Sequence, residues 1–200
     1  MRSILILYAT REGQTQAVCE HLARTLERRG HVVDLILGDD PDPLDLDFEA
    51  YDGVIVGASV HLGHHQGYLV DLVRRHKDEL AALAGAFFSV SLEAASPRPV
   101  DRDDAWVRVD RFCDETGWRP QVQAIVAGAL RPDAYGPLER LLIRLTAGAR
   151  GRESSERVYT DWAGVDRIAD ELLAVMDVRV DLVPPEESPD RASAAPSKLS

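Results

Sequence analysis

The segment Thr10-Arg11-Glu12-Gly13-Gln14-Thr15 joins a continuous apolar run, Ser3 to Ala9 (SILILYA), to a stretch whose apolar residues recur at helical spacing. A glycine at such a junction lets the backbone turn tightly and approach a ligand. Free N–H groups at the helix start, with the Thr10 and Thr15 hydroxyls, can then wrap a phosphate. The pattern differs from the P-loop, because no Gly-Lys-Ser/Thr follows, and from the dinucleotide fingerprint, because there is no GxGxxG. Taken alone it also fits an ordinary helix N-terminus with threonine caps. Two more segments have the same small, polar character: Gly57-Ala58-Ser59-Val60-His61-Leu62-Gly63-His64-His65, and Ser89-Val90-Ser91-Leu92-Glu93-Ala94-Ala95-Ser96. Small residues and exposed N–H groups suit a flat ring with polar edges. His61, His64 and His65 raise the question of a metal, but no carboxylate or cysteine shares their loop. Loop histidines bonded to backbone or solvent, or lining a ring, are the favoured readings, and no metal is expected. His21, His31 and His76 read as ordinary helix and strand-edge residues.

The elements that must position these loops alternate strand and helix. Ser3–Ala9 has the unbroken apolarity of a strand buried on both faces. Ala17, Val18, His21, Leu22, Thr25 and Leu26 form a helical stripe that Gly30 should stop. His31–Leu37, Val54–Val56, Ala86–Leu92 and Val122–Leu130 read as further strands, with a short one at Val158–Thr160. Helices are expected over Tyr68–Leu83, about Asp103–Thr116 with Trp106, Val109, Phe112 and Cys113 inward, and Asp161–Met176 with Trp162, Val165, Ile168, Leu172 and Leu173 in the core. Asp161 is placed to cap the last helix or sit in its first turn. Five strands separated by helices imply an α/β fold with a doubly wound parallel sheet. Such sheets bind ligands beyond the carboxyl ends of their strands, so the loops after strands one, three and four are the place to look.

Composition narrows the classes. The 200 residues are 45% hydrophobic and 28% charged, enough for one cored domain and not for wholesale disorder. Two cysteines without metal spacing, Cys19 and Cys113, exclude a disulfide scaffold and fit a reducing, cytoplasmic compartment. A net charge of −11, from 23 basic and 34 acidic side chains, argues against nucleic acid as a partner. The opening MRSILILYAT is followed by no cleavage site, and no window approaches the roughly 18 apolar residues of a membrane span. Residues 1–178 are expected to form the domain, and 179–200, with Pro184, Pro185, Pro189 and Pro196 among Ser, Ala and Asp, a disordered tail.

In TREGQT (10–15), YDGVIVGASVHLGHH (51–65), AFFSVSLEA (86–94), GWRPQ (117–121), AIVAGALR (124–131) and VYTDW (158–162), the chain resembles the flavodoxin superfamily. Within it, the chain is similar to the menaquinone-dependent protoporphyrinogen IX dehydrogenases of haem biosynthesis, over roughly residues 2–176. That resemblance implies a flavodoxin-like sheet of order 2-1-3-4-5 binding one FMN non-covalently. It also implies oxidation of protoporphyrinogen IX to protoporphyrin IX, with electrons passed to a quinone. Carried over by position, Thr10, Arg11, Glu12, Gly13, Gln14 and Thr15 would hold the FMN phosphate. Ala58, Ser59, Val60, His61, Leu62 and Gly63, with Ser89, Val90, Ser91, Leu92, Glu93 and Ala94, would hold the isoalloxazine and ribityl groups. His61 and Leu62 stand where flavodoxins commonly place a stacking aromatic. No side chain is marked as an obligatory acid or base.

The resemblance further implies an insertion in the fifth strand, here about residues 131–156. Within it Leu138, Leu141, Leu142 and Leu145 form one helical stripe beside Arg140 and Arg144. Between Pro137 and Arg152 four arginines face one glutamate, a local charge of +3 that leaves −14 on the rest of the chain. Such a stretch suits a peripheral contact with the inner face of an anionic membrane, while packing on the sheet or in a homo-oligomer is the alternative. Other functional readings are a flavodoxin-type electron carrier, an NAD(P)H:quinone reductase and a flavin-free binding module.

Overall fold

A computed structural model describes residues 1–11, 13–39, 46–130, 157–158 and 160–182. Glu12, the body of the expected insertion (131–156), Tyr159 and most of the expected tail (183–200) lie outside the described residues.

Five parallel strands make the sheet: β1 (Ser3–Ala9), β2 (Val32–Leu37), β3 (Gly53–Ser59), β4 (Ala84–Ser91) and β5 (Val122–Ala127), in the order β2-β1-β3-β4-β5. Residue alternation in β1 splits the core in two. Ile4, Ile6 and Tyr8 face α1 (Gln14–Arg28) and the C-terminal helix α5 (Trp162–Leu182); Leu5, Leu7 and Ala9 face the layer of α2 (Gly67–Arg75), α3 (Lys77–Ala82) and α4 (Pro99–Thr116). Register aligns the strand ends: Ala9 lies beside Ala58, Ser59 beside Val90, and Ser91 beside Ala127. The loops after β1, β3 and β4 therefore emerge along one edge, and the chain changes winding direction between β1 and β3.

Close packing fixes two glycines near this edge. A Cβ on Gly57 would lie 2.4 Å from Phe88 Cζ and 3.1 Å from Cys19 Sγ. A Cβ on Gly38 would meet Leu69 Cδ1 at 2.9 Å. Both cysteines are free and buried.

Several expectations are corrected. The single helix over 68–83 is two, because His76 leaves helical geometry (φ −110°, ψ 23°), packs at a tilt against Phe48 with ring centroids 4.9 Å apart and ends α2 before α3 begins. The fifth strand stops at Ala127: the Gly128 N–H turns to Ser91 O, and β6 (Ala129–Leu130) pairs antiparallel with β7 (Arg157–Val158) in a separate ribbon. α4 starts earlier than read, with Pro99 in its first turn, where a missing N–H costs nothing. Trp106 and Trp162, read as core, are 39% and 38% exposed. Ala105, not Trp106, takes the inward position on α4, and Trp162 lies on the His21 ring at 4.7 Å. α5 continues to Leu182, with Arg179 donating to the carbonyls of Ala81 and Ala82 at the end of α3. Among the described residues no helix is long and apolar enough to cross a membrane.

Candidate functional site

The loop after β1 is built around Gly13, whose φ of 82° is left-handed and accessible to glycine at little cost. This turn lets the Gly13 N–H reach back to Thr10 Oγ1 at 2.9 Å. The first helical bond of α1 is Ala17 N–H to Gly13 O, 3.0 Å, so the N–H groups of Gln14, Thr15 and Gln16 have no intrahelical acceptor. Among the described residues no side chain caps this end, and no acidic side chain lies in its first turn. Thr15 is fully buried and its Oγ1 has no hydrogen-bond partner. Free amides, a helix dipole worth up to ~2 kcal/mol to an anion, and an orphaned hydroxyl make a cradle that lacks its acceptor. A phosphate oxygen supplies what these donors lack, so the residues present fit a phosphorylated cofactor.

Gln14 serves the cradle differently from Thr15. Its side chain is buried and donates from Nε2 to Thr160 Oγ1 at 2.7 Å; Thr160 Oγ1 in turn donates to Ala127 O at 2.9 Å. The end of β5, the segment before α5 and the start of α1 are thereby tied together. Tyr68, at the start of α2, brings its hydroxyl to the Thr10 backbone, and burial raises its pKa. Arg11 is exposed beside the turn.

The loop after β3 is a tight turn on a fixed base. Val60 N–H donates to Val90 O at 2.9 Å, and Gln66 Nε2 donates to Ser59 Oγ at 2.7 Å. His61 and His64 exchange backbone bonds of 2.8 and 3.1 Å across Leu62 (φ 50°) and Gly63 (φ 81°). Positive φ at both central residues is the pattern of a type I′ turn. His65 leaves the turn and enters the core. It packs edge-on against Phe87 and Phe112, with ring centroids 5.6 and 5.3 Å away, and its Nε2 meets Ser89 Oγ at 2.9 Å. Burial, then the Arg108 guanidinium and His64, lowers its pKa to about 4, so it is neutral at pH 7. His65 thus parts from His61 and His64, and among the described residues no group of His, Cys, Asp and Glu is arranged to hold a metal.

In the loop after β4, Ser91 Oγ accepts from Ala94 N–H at 3.3 Å and starts a short 3-10 turn, Glu93–Ala95. Arg108, on α4, reaches up to Glu93 Oε1 at 3.1 Å while its Nη1 is buried without a hydrogen-bond partner. The Ser96 hydroxyl and Arg98 both bond Asp101, holding that carboxyl below its usual range.

Of the residues read from sequence, Thr10, Arg11, Gly13, Thr15, Ser59–Gly63 and Leu92–Ala94 line or approach the common edge. Ala58, Ser89 and Val90 are buried within the strands, where Ser89 serves His65 and Val90 O serves Val60. Glu12 is outside the described residues. Sequence reasoning missed His65, Gln66, Arg108 and Thr160 as supports. His65 and Thr160 lay in quoted motifs, but the partners of all four are set by tertiary packing.

A flavodoxin domain family model matches residues 5–156. A curated relative in Escherichia coli (strain K12), "Protoporphyrinogen IX dehydrogenase [quinone]", is 33% identical over 180 residues, covering 86% of this chain and 96% of its own. A relative of the same name in Leishmania major is 35% identical, covering 86% of this chain and 74% of its own. Among solved structures, a short-chain flavodoxin associated with a non-canonical PDU bacterial microcompartment superposes with a TM-score of 0.57 at 15% identity, covering 88% of this chain and 99% of its own. A flavodoxin of Streptococcus pneumonia TIGR4 superposes at 0.51 and 17% identity, covering 86% and 98%. The structural likenesses establish the fold, the sequence matches extend through the loops of the site, and together they show that the chain belongs to the flavodoxin domain family.

Proposed function

We propose that this protein is an FMN-dependent oxidoreductase that oxidises protoporphyrinogen IX to protoporphyrin IX with a quinone as electron acceptor. The observation that carries the cofactor reading is the orphaned Thr15 hydroxyl beside the uncapped N-terminus of α1. The substrate reading is supported by the two relatives named for that reaction.

Thr10, Gly13 and Thr15 hold the phosphate, with the amides of Gln14, Thr15 and Gln16 directed at it. Ser59–His61 and Gly63 border the ring on one side, and Ser91–Ala94 on the other. When bound, the flavin supplies a redox centre that takes electrons from the reduced tetrapyrrole and delivers them to the quinone. The chain's own work is positioning. His65 is neutral, bonded to Ser89 and enclosed by Phe87 and Phe112, so it supports the floor between the β3 and β4 loops without placing a charge there. Arg108 holds Glu93 and so fixes the β4 loop. Residues 137–152 bring the enzyme to an anionic membrane surface, on the strength of their leucine stripe and local +3 charge. In a flotation assay with anionic liposomes, wild type floats and Arg140→Glu/Arg144→Glu does not; equal flotation removes this membrane contact.

The redox reading is tested by mixing FMN-loaded protein with protoporphyrinogen IX without oxygen. Bleaching of the oxidised-flavin absorbance together with rising porphyrin fluorescence is expected. An unbleached flavin that is still reduced by a flavodoxin reductase would favour an electron carrier.

A further inference from the structure

Leu62 is the one non-glycine residue with positive φ among the described residues, and its side chain is 82% exposed. A left-handed backbone is costly for a residue with a Cβ, and glycine or asparagine adopts it more cheaply. An exposed leucine also gains no burial energy in the folded protein. Stability therefore disfavours leucine at this position on both counts. The tip stands clear of the rest of the fold, since a Cβ on Gly63 would find nothing within 4 Å.

The turn is nonetheless rigid. His61 and His64 close it by two backbone bonds, Val60 anchors it to β4, Gln66 anchors Ser59, and His65 is packed into the core. Residues directly opposite in an antiparallel pair project to the same side, so the His61 and His64 imidazoles flank one face of the turn. The His64 imidazole can donate an N–H whether neutral or protonated. A strained, stiff turn at the ligand-binding edge thus presents one aliphatic side chain beside the imidazole of the exposed His64. Local strain held by surrounding structure is a feature of ligand-contacting segments.

Resting on the porphyrinogen reading above, we propose that Leu62 is a substrate-contacting specificity residue. Its side chain packs against the reduced macrocycle, and His64 donates to a carboxylate at the macrocycle's rim. The chemistry selects this ligand over the quinone: protoporphyrinogen is apolar across its rings and carries two propionates, whereas a quinone headgroup has no carboxylate for His64 to meet. The backbone strain persists because the contact returns free energy only when substrate is bound.

The test uses the full chain loaded with FMN, as wild type, Leu62→Gly and Leu62→Ala. Leu62→Gly is expected to melt at or above the wild-type temperature, because the strain is relieved. Its KM for protoporphyrinogen IX rises roughly tenfold with kcat little changed, the signature of a lost binding contact. Binding of protoporphyrin IX, followed by quenching of its fluorescence, weakens by a similar factor and provides a readout independent of turnover. Leu62→Ala shows the same KM change without the gain in stability. His64→Ala raises KM for the diacid but not for the dimethyl ester. Unchanged porphyrinogen KM in both Leu62 variants, a rise confined to the quinone, or a loss confined to FMN affinity would overturn the assignment while leaving the function intact. Equal effects of His64→Ala on diacid and ester would overturn the role of His64. A wild-type protein that oxidises no porphyrinogen would overturn the functional reading first, and the role of Leu62 with it.

Discussion

Thr15 has a hydroxyl buried in the apo protein with nothing to bond, and this gives the phosphate cradle a two-signed test. Replacing it with valine keeps the shape and removes an unsatisfied polar group. Thr15→Val should stabilise the apo protein by about 1 kcal/mol and weaken FMN binding at least roughly tenfold. Urea melts and fluorescence titrations read the two effects separately; weakened binding without the apo gain would place a partner on that hydroxyl. His65 supplies a pH test. Its pKa is about 4 in the fold, against roughly 6.5 in the unfolded chain. Between these values the unfolded state holds more protons, so stability rises with pH. The contribution is full above pH 6.5 and is lost as pH falls toward 4. From pH 7 to 4.5 the wild type should lose about 2 kcal/mol more than His65→Leu, which starts lower because Ser89 loses its partner. Parallel pH profiles for the two proteins would show that His65 does not titrate this way. At this scale the sequence was legible where chemistry is local. Thr10, Gly13 and Thr15 span six positions, and their gathering at the start of α1 follows from a strand–turn–helix junction. His65 was not legible, because Ser89 is 24 residues away and the Phe87–Phe112 stack that encloses it spans two elements.

At the scale of elements, the cradle depends on where α1 begins, and Gln14–Thr160–Ala127 fixes that position across 146 residues of chain. Thr160→Val removes both bonds and leaves the buried Gln14 amide without its partner. The expected loss is about 2 kcal/mol of stability, with weaker FMN binding as the start of α1 loosens. Thr160→Ser should restore both. A valine variant with wild-type FMN affinity would mean that α1 is positioned by its packing alone. A second tie joins the same helices further down: His21 bonds Asp166 at 2.8 Å and holds that carboxyl below its usual range, with Thr25 also donating to it. Strand identity was readable because β1, β3 and β4 are apolar runs, while their order followed from the family resemblance. The break at His76 was not, since leucines continue at helical spacing on both sides and only contact with Phe48 reveals the interruption. Trp106 and Trp162 were misplaced for a related reason: periodicity assigns a face without showing whether a neighbour fills the space for an indole.

Across the whole molecule, aligned strand ends gather three loops from sequence-distant segments on one edge, while the surface carries a net −11. An anionic substrate must reach that edge against the overall field, so attraction has to be local. Raising salt should therefore lower the porphyrinogen KM modestly, by about twofold between low and physiological ionic strength; an opposite trend would mean that a basic region dominates the encounter. The central claim is that bound FMN couples porphyrinogen oxidation to a quinone, and anaerobic turnover measures it most directly. With protoporphyrinogen IX, a menaquinone analogue and FMN-loaded protein, porphyrin fluorescence should grow catalytically, stop when FMN is removed, and stay at or below about a third of a flavin equivalent when quinone is omitted, because the six-electron oxidation needs three two-electron acceptors. Fluorescence that grows no faster than without protein, while the bound flavin still exchanges electrons with a flavodoxin reductase, would contradict the account.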